Sequence, residues 1–227
     1  MEEARRTFVP AAGRDWGLPL YDPLVKLIGG DQARRALLEH AALRPGQVVL
    51  DVGCGTGSLA TLIKGLHPGV QVVGVDPDPK ALARARRKGE RARVSIQLDR
   101  GFADALPYAD ASFDRVLSSF VFHHLSRHEK ARMLSEARRV LKPRGFLYLL
   151  DFGGPGSGTS LARRLHSSPL LADNGEGRIL RLMREAGLEV PKRVTGGTVV
   201  FGLVDWSCFQ AAAPATEARQ GPPSGPQ

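Results

Sequence analysis

Three groups of residues in this chain could do chemistry by their type and spacing. The first is Asp51-Val52-Gly53-Cys54-Gly55-Thr56-Gly57, an acid and three alternate glycines closing the apolar run Val48-Val49-Leu50. Glycines let the backbone turn tightly and approach a ligand where a Cβ would clash. The spacing departs from the dinucleotide-binding fingerprint, because the third glycine comes one residue early and Ser58 holds the position that pattern gives to glycine. No Gly-Lys-Ser/Thr follows, so it is not a Walker A loop either, and nothing specifies phosphate. The second is Asp76, which ends the next apolar run, Gln71 to Val75. A carboxylate there can accept hydrogen bonds from two vicinal ribose hydroxyls and would repel a 2′-phosphate. Loop and acid together read as a site for a ribose, that of an adenosine, with no need for a pyrophosphate. The third is His123, His124 and His128. His124 and His128 would share a helix face, but no carboxylate or cysteine spacing accompanies them, so no metal is assigned. His123 and His124 are candidates for a general base, with capping or packing as the competing role.

The elements that must position these groups alternate along the chain. Residues 1–23 are rich in loop formers and carry Trp16 and Tyr21, and Asp22-Pro23 opens a short helix through Ile28. Asp31 caps a second helix, Gln32 to Ala42. Strands are expected at 48–52, 71–76, 93–98, 113–119 and 146–152, the first two being apolar runs of the kind buried on both faces. Helices are expected from Ser58 to about Gly65, from Lys80 to Lys88 with Gly89 as its stop, from Arg127 to Leu141, and from Arg178 to Glu185. A short basic helix, Leu161 to His166, lies in a glycine- and serine-rich segment. Val190 to Thr195 and Thr198 to Phe209 would pair as a hairpin turning at Gly196-Gly197. The expected fold is α/β: a Rossmann-like, doubly wound, mostly parallel seven-stranded sheet with an antiparallel C-terminal hairpin. The divisions are an N-terminal helical lid over 1–44, the main domain over 45–210 and a disordered proline- and alanine-rich tail over 211–227. His123 and His124 then follow the fourth strand, at the carboxyl edge where open α/β sheets bind their ligands.

Composition bounds the partners. With 227 residues, 42% of them hydrophobic, the chain can build one core and has little room for a second. The net charge of +9 is spread along the sequence, and its densest group, from Arg84 to Arg93, has no interleaved aromatics. That argues against a stacking surface for nucleic acid and for a solvated basic face. Cys54 and Cys208 stand in no metal or redox spacing. No run reaches the roughly 18 apolar residues of a membrane span, and the Met1-Glu2-Glu3 start is unlike a signal peptide. A cytoplasmic protein without membrane insertion is expected; its oligomeric state is open.

The ordered set of motifs resembles the class I S-adenosylmethionine-dependent methyltransferases. It comprises Asp51 to Gly57, Val75-Asp76-Pro77-Asp78, Ala103-Asp104-Ala105-Leu106-Pro107-Tyr108, Ser112-Phe113-Asp114 and Arg139-Val140-Leu141-Lys142-Pro143. Within that superfamily Tyr21-Asp22, Leu149-Leu150-Asp151-Phe152 and Thr195-Gly196-Gly197 look most like the ubiquinone/menaquinone-biosynthesis type. The resemblance implies S-adenosylmethionine as cofactor and a small, largely apolar methyl acceptor, quinols and phenols included. It implies that Gly53 and Gly55 face the methionine moiety, that Gly57 lets a helix pack close, and that Asp51 orients the loop and the cofactor's ammonium. Asp76, with Pro77 beside it, would bind the ribose hydroxyls, Ser118 would lie near the methionine, and Tyr21 would be a lid residue. Such families usually place an aspartate two residues before Asp104; here Phe102 would pack on the adenine and leave the Ala103 N–H for the ring edge. Two rivals belong to other classes: a catalytically silent cofactor-fold protein that binds a partner, and an RNA or protein methyltransferase. Against the second, Ser118-Ser119-Phe120-Val121 stands where amino-group methyltransferases often carry an Asn/Asp-Pro-Pro-Tyr/Phe motif.

Overall fold

A computed structural model describes residues 29–152, 175–199 and 204–215. Trp16, Tyr21, the helix expected before Ile28 and the basic helix at 161–166 lie outside them. The elements run α1 (Gly30–Ala41), β1 (Val48–Val52), α2 (Ser58–Leu66), β2 (Gln71–Asp76), α3 (Pro79–Ala92), β3 (Gln97–Arg100), β4 (Phe113–Ser119), a 3-10 turn (Phe122–His124), α4 (Arg127–Val140), β5 (Leu141–Phe152), α5 (Glu176–Glu185), β6 (Glu189–Val199) and β7 (Val204–Ala212). They form one 7-stranded sheet in the order β3-β2-β1-β4-β5-β7-β6. The first five strands are parallel, and β7 runs antiparallel to both β5 and β6. This is the doubly wound sheet with a C-terminal antiparallel pair that the strand pattern predicts.

Alternation along the central strands explains why they read as continuous apolar runs. Leu50, Val52, Val116, Leu147 and Leu149 pack on one face with Phe122, Met133 and Leu134 of the β4–α4 region and Ile179 of α5. Val49, Leu117, Tyr148 and Leu150 pack on the other with Ala33 and Leu37 of α1 and Leu59 and Ile63 of α2. A sheet covered on both faces keeps both sets of side chains from water. Order reverses between β1 and β4, and the crevice above their carboxyl ends is the place such sheets bind ligands.

Several expected boundaries differ. Gly89 does not end α3, which continues to Ala92 and stops where Arg93 turns left-handed at φ 55°. A Cβ at Gly89 would stand 3.3 Å from the Val94 carbonyl, so the glycine serves a close approach inside the helix rather than its end. The third strand starts later than expected, at Gln97. Gly196 and Gly197 are not the hairpin turn: they pair with Ser207 and Trp206 inside the ladder, and a Cβ on Gly197 would meet the indole at 3.0 Å. The ordered chain also runs past 210. Ala211 and Ala213 are buried, and the Ala213 N–H donates to the Gly145 carbonyl at 2.8 Å. These alanines belong to the core beside β5, although composition alone groups them with the proline-rich tail.

Candidate active site

The glycine loop is built by what it is tied to. At the end of β1 the N–H groups of Gly53 and Cys54 both donate to the Val75 carbonyl, at 2.8 and 3.0 Å, and the Gly55 N–H donates to Oδ2 of Asp76 at 2.8 Å. Loop and second strand are thereby one unit. Gly53, at φ 69°, has no room for a side chain, because a Cβ would meet the Val121 methyls at 2.5 Å. Gly57, at φ 75°, is the N-cap of α2, and a Cβ there would lie 2.8 Å from that of Ala85, so this glycine sets the approach of α2 to α3.

A cavity of about 360 Å³ opens over this loop. Gly53, Gly55, Asp76, Pro77, Phe102 and Ala103 all line it. That volume is in the range of small-molecule sites. At one end, Asp76 accepts the Gly55 N–H on Oδ2 and the Asp78 N–H on Oδ1 at 2.9 Å. One backbone donor on each oxygen leaves acceptor capacity on both. Burial raises its pKa, and those two N–H groups pull it back. Asp78 caps α3 by accepting the Lys80 N–H at 2.8 Å on Oδ1, while its buried Oδ2 has no hydrogen-bond partner among the described residues.

The other end is more apolar. Phe120, Val121 and Leu125 line it together with Ser119, His124 and Arg34. Phe120 holds a left-handed backbone, φ 58°, just past β4, and its N–H donates to the Leu150 carbonyl at 2.8 Å. A bulky residue at positive φ persists only where surroundings enforce it, and such positions cluster at functional sites.

Ser118 is displaced from its expected role. It is fully buried and does not line the cavity, whereas Ser119 does. The strand alternates side chains with period two, so an error of one residue moves a side chain to the opposite face. Asp51 and Gly57 also lie behind the lining rather than in it. Asp51 is buried at 1% exposure, and burial raises its pKa to about 7, against the attraction of Arg34 and the N–H of Ala60 and with a further push from Asp76.

The two histidines are brought together but differ. Their rings lie with centroids 3.9 Å apart, tilted at 42° to each other. His124 lines the cavity, and its pKa is pushed down to about 4 by burial and by the neighbouring His123. His123 stands behind it, with Nδ1 2.7 Å from Oδ1 of Asp151 and its backbone N–H donating to Oδ2 at 2.9 Å. Asp151, fully buried at the end of β5, also accepts the Phe152 N–H at 2.7 Å. Facing a carboxylate, Nδ1 is the donor in this pair. Lys130 is buried above the Phe122 ring at 5.3 Å, with its pKa lowered by burial and raised by Asp151. Among the described residues no group of three or more His, Cys, Asp or Glu could hold a metal, and no helix is long and apolar enough to cross a membrane.

Sequence reading does not find Arg34, Ser119 or the Asp151 partnership. The only signal for Asp151 is an acid ending a buried strand, the same signal that marks Asp51 and Asp76. Arg34 sits on a helix whose exposed face also carries basic residues, and nothing in its spacing sets it apart.

The chain resembles known proteins in sequence and in fold. Residues 49–145 match the family described as methyltransferase domain. Demethylmenaquinone methyltransferase of Thermus thermophilus is 40% identical over 62% of this chain and 64% of its own length. The ubiquinone/menaquinone biosynthesis C-methyltransferase UbiE of Paracoccus denitrificans is 39% identical over 58% of this chain and 54% of its own. The chain thus spans less than two thirds of these curated relatives. Among solved structures, phosphoethanolamine N-methyltransferase 2 of Haemonchus contortus, in complex with S-adenosyl-L-methionine, superposes with a TM-score of 0.74 at 19% identity, covering 93% of this chain and 61% of that one. The resemblance to class I methyltransferases holds in sequence and in fold.

Proposed function

Starting from a methyltransferase domain, we propose that this chain binds S-adenosylmethionine and methylates a small, largely apolar acceptor of the quinol or phenol class. The observation that carries the reading is Asp76: a buried carboxylate at the cavity wall, each oxygen satisfied by one backbone N–H and able to accept another hydrogen bond. That is the requirement of vicinal ribose hydroxyls. The residues present fit an adenosine, with Pro77 beside the ribose, Phe102 against the base and the Ala103 N–H available to the ring edge. Gly53 and Gly55 give the room for a methionine chain. Tyr21, as a lid, remains part of the proposal and lies outside the described residues.

When bound, S-adenosylmethionine supplies a methyl group already activated by its sulfonium. The chain's own task is then to align the acceptor, exclude water and receive a proton where the acceptor loses one. Phe120, Val121 and Leu125 suit an apolar ring. Methylation of a phenol or quinol, at oxygen or at ring carbon, releases a proton. His124 is uncharged at neutral pH and can accept a hydrogen bond from the acceptor hydroxyl. His124 would take the proton at the cavity wall, and His123, oriented by Asp151, lies behind it as its support. The names of the curated relatives support a quinol-like acceptor.

Calorimetry with S-adenosylmethionine and S-adenosylhomocysteine tests the cofactor. Asp76→Ala is expected to weaken both by about tenfold or more, the loss of two hydrogen bonds to a charged group, with the fold retained and the melting temperature lowered by the loss of the partner of the Gly55 and Asp78 N–H groups. Unaltered affinity in that variant overturns the assignment. Methyl transfer to simple quinols and phenols then tests the acceptor, and turnover on none of them would return the partner-binding rival.

A further inference from the structure

Lys130 stands where the core calls for an apolar side chain. It shares the buried face of α4 with Met133, Leu134 and Ala137, and it is 1% exposed. Its Nζ lies 5.3 Å from the centre of the Phe122 ring. Burial disfavours its charge and Arg178 of α5 repels it, while Asp151 of β5 attracts it. Replacing a buried ion by an apolar group of similar volume is often neutral or stabilising. The packing of α4 on the sheet therefore gives no reason for an ammonium at this position.

The neighbours give one. Phe122 belongs to the same 3-10 turn as His123 and His124. Asp151 holds that turn through the His123 backbone N–H at 2.9 Å and through Nδ1 at 2.7 Å. Asp151 is fully buried, so its charge has to be balanced inside the protein. The groups able to balance it are Lys130 from α4 and His123 from the turn, with Arg178 of α5 beside Lys130. The choice between them matters at the cavity wall. The ring of His124 is 3.9 Å from that of His123, and a charge on His123 opposes a proton on His124.

We propose that Lys130 is a positioning residue for the methyl transfer: its ammonium balances the buried Asp151 carboxylate, which leaves His123 uncharged behind His124. This rests on the reading of His124 as the group that takes the acceptor's proton. Without Lys130 the balance falls on His123, which becomes the imidazolium, and His124 then receives a proton against a neighbouring cation.

The test is Lys130→Met in the full chain, with nitrogen NMR of the imidazoles at pH 8. Wild type is expected to show His123 with one protonated nitrogen and the variant to show both protonated. With a quinol or phenol that wild type turns over, kcat is expected to fall about tenfold with KM little changed. Affinity for S-adenosylhomocysteine is expected to stay within about twofold, and the melting temperature is expected not to fall. A merely structural lysine would give the reverse, a lower melting temperature and an unaltered His123 spectrum. Should Lys130→Met fail to fold, Lys130→Gln, also uncharged, decides by the same spectrum. An unchanged His123 in the folded variant, or a doubly protonated His123 in wild type, overturns the proposal. Wild type without turnover on any quinol or phenol overturns the acceptor reading instead, and the spectrum still decides the part of Lys130.

Discussion

At the scale of single residues, Asp51 links stability to pH. Its folded pKa, about 7, exceeds the ordinary carboxylate value of 3.8 because burial disfavours the charge. Between roughly pH 4 and 7 the folded chain holds a proton that the unfolded chain releases. The resulting stabilisation is fully present below about pH 4 and is lost as pH rises through about 7. Relative to Asp51→Asn, the ligand-free wild type is therefore expected to lose on the order of 2 kcal/mol between pH 5 and pH 8, read from urea midpoints. Equal slopes for the two proteins would refute a raised pKa at Asp51.

Asp151 invites a different experiment. Its oxygens hold the backbone N–H groups of His123 and Phe152 and fix the His123 tautomer. Asparagine keeps nearly the same shape but presents an amide that can donate to Nδ1, which favours the opposite tautomer. Asp151→Asn is expected to lower kcat on the order of 100-fold with KM little changed. Nitrogen NMR of the imidazole is expected to show the tautomer shift. A kcat loss without any change at His123 would assign Asp151 a structural part only.

At the scale of elements, the loop from Gly101 to Ser112 forms one wall of the cavity and contains no regular structure. What holds it is Arg139 of α4. The guanidinium donates to the carbonyls of Tyr108 and Leu106 at 2.7 and 3.1 Å, to Asp110 at 2.7 Å and to Glu136 at 2.7 Å. Glu136 in turn accepts the Leu106 N–H at 2.8 Å. Several bonds on one rigid fork tie an irregular segment to a helix, so the wall can be specific without being a strand. Arg139→Ala is expected to cost about 1–3 kcal/mol of stability. Faster hydrogen exchange over 101–110, more than over β1 and β2, is the accompanying signature; protection unchanged in that segment would contradict the clamp.

At the scale of the whole molecule, the architecture was legible because its central strands are apolar runs that end abruptly in acids or polar residues. Asp51 and Asp76 end two of them, and each acid falls at the carboxyl edge where the ligand crevice lies. Burial on both faces leaves that signature in local sequence. What was not legible depends on contacts distant in the chain. Gly89 and Gly197 look like stops and turns, yet they answer to the Val94 carbonyl and the Trp206 ring. Ser118 and Ser119 are indistinguishable as letters and sit on opposite faces of a strand. Arg34 and Asp151 gain their meaning only when α1 folds over β1 and β5 comes beside β4.

Strand order also has a consequence for synthesis. β7, the last strand among the described residues, is an interior strand, flanked by β5 and β6. As the chain leaves a ribosome, β5 emerges with one bare edge, and β6 follows with no neighbour at all. Both wait for residues 204–212, the segment that closes the sheet from Trp206 opposite Phe152 to Ala212 opposite Phe146. Until then the nascent molecule carries an unpaired, apolar border, and that interval is when it is most exposed to mispairing with another chain.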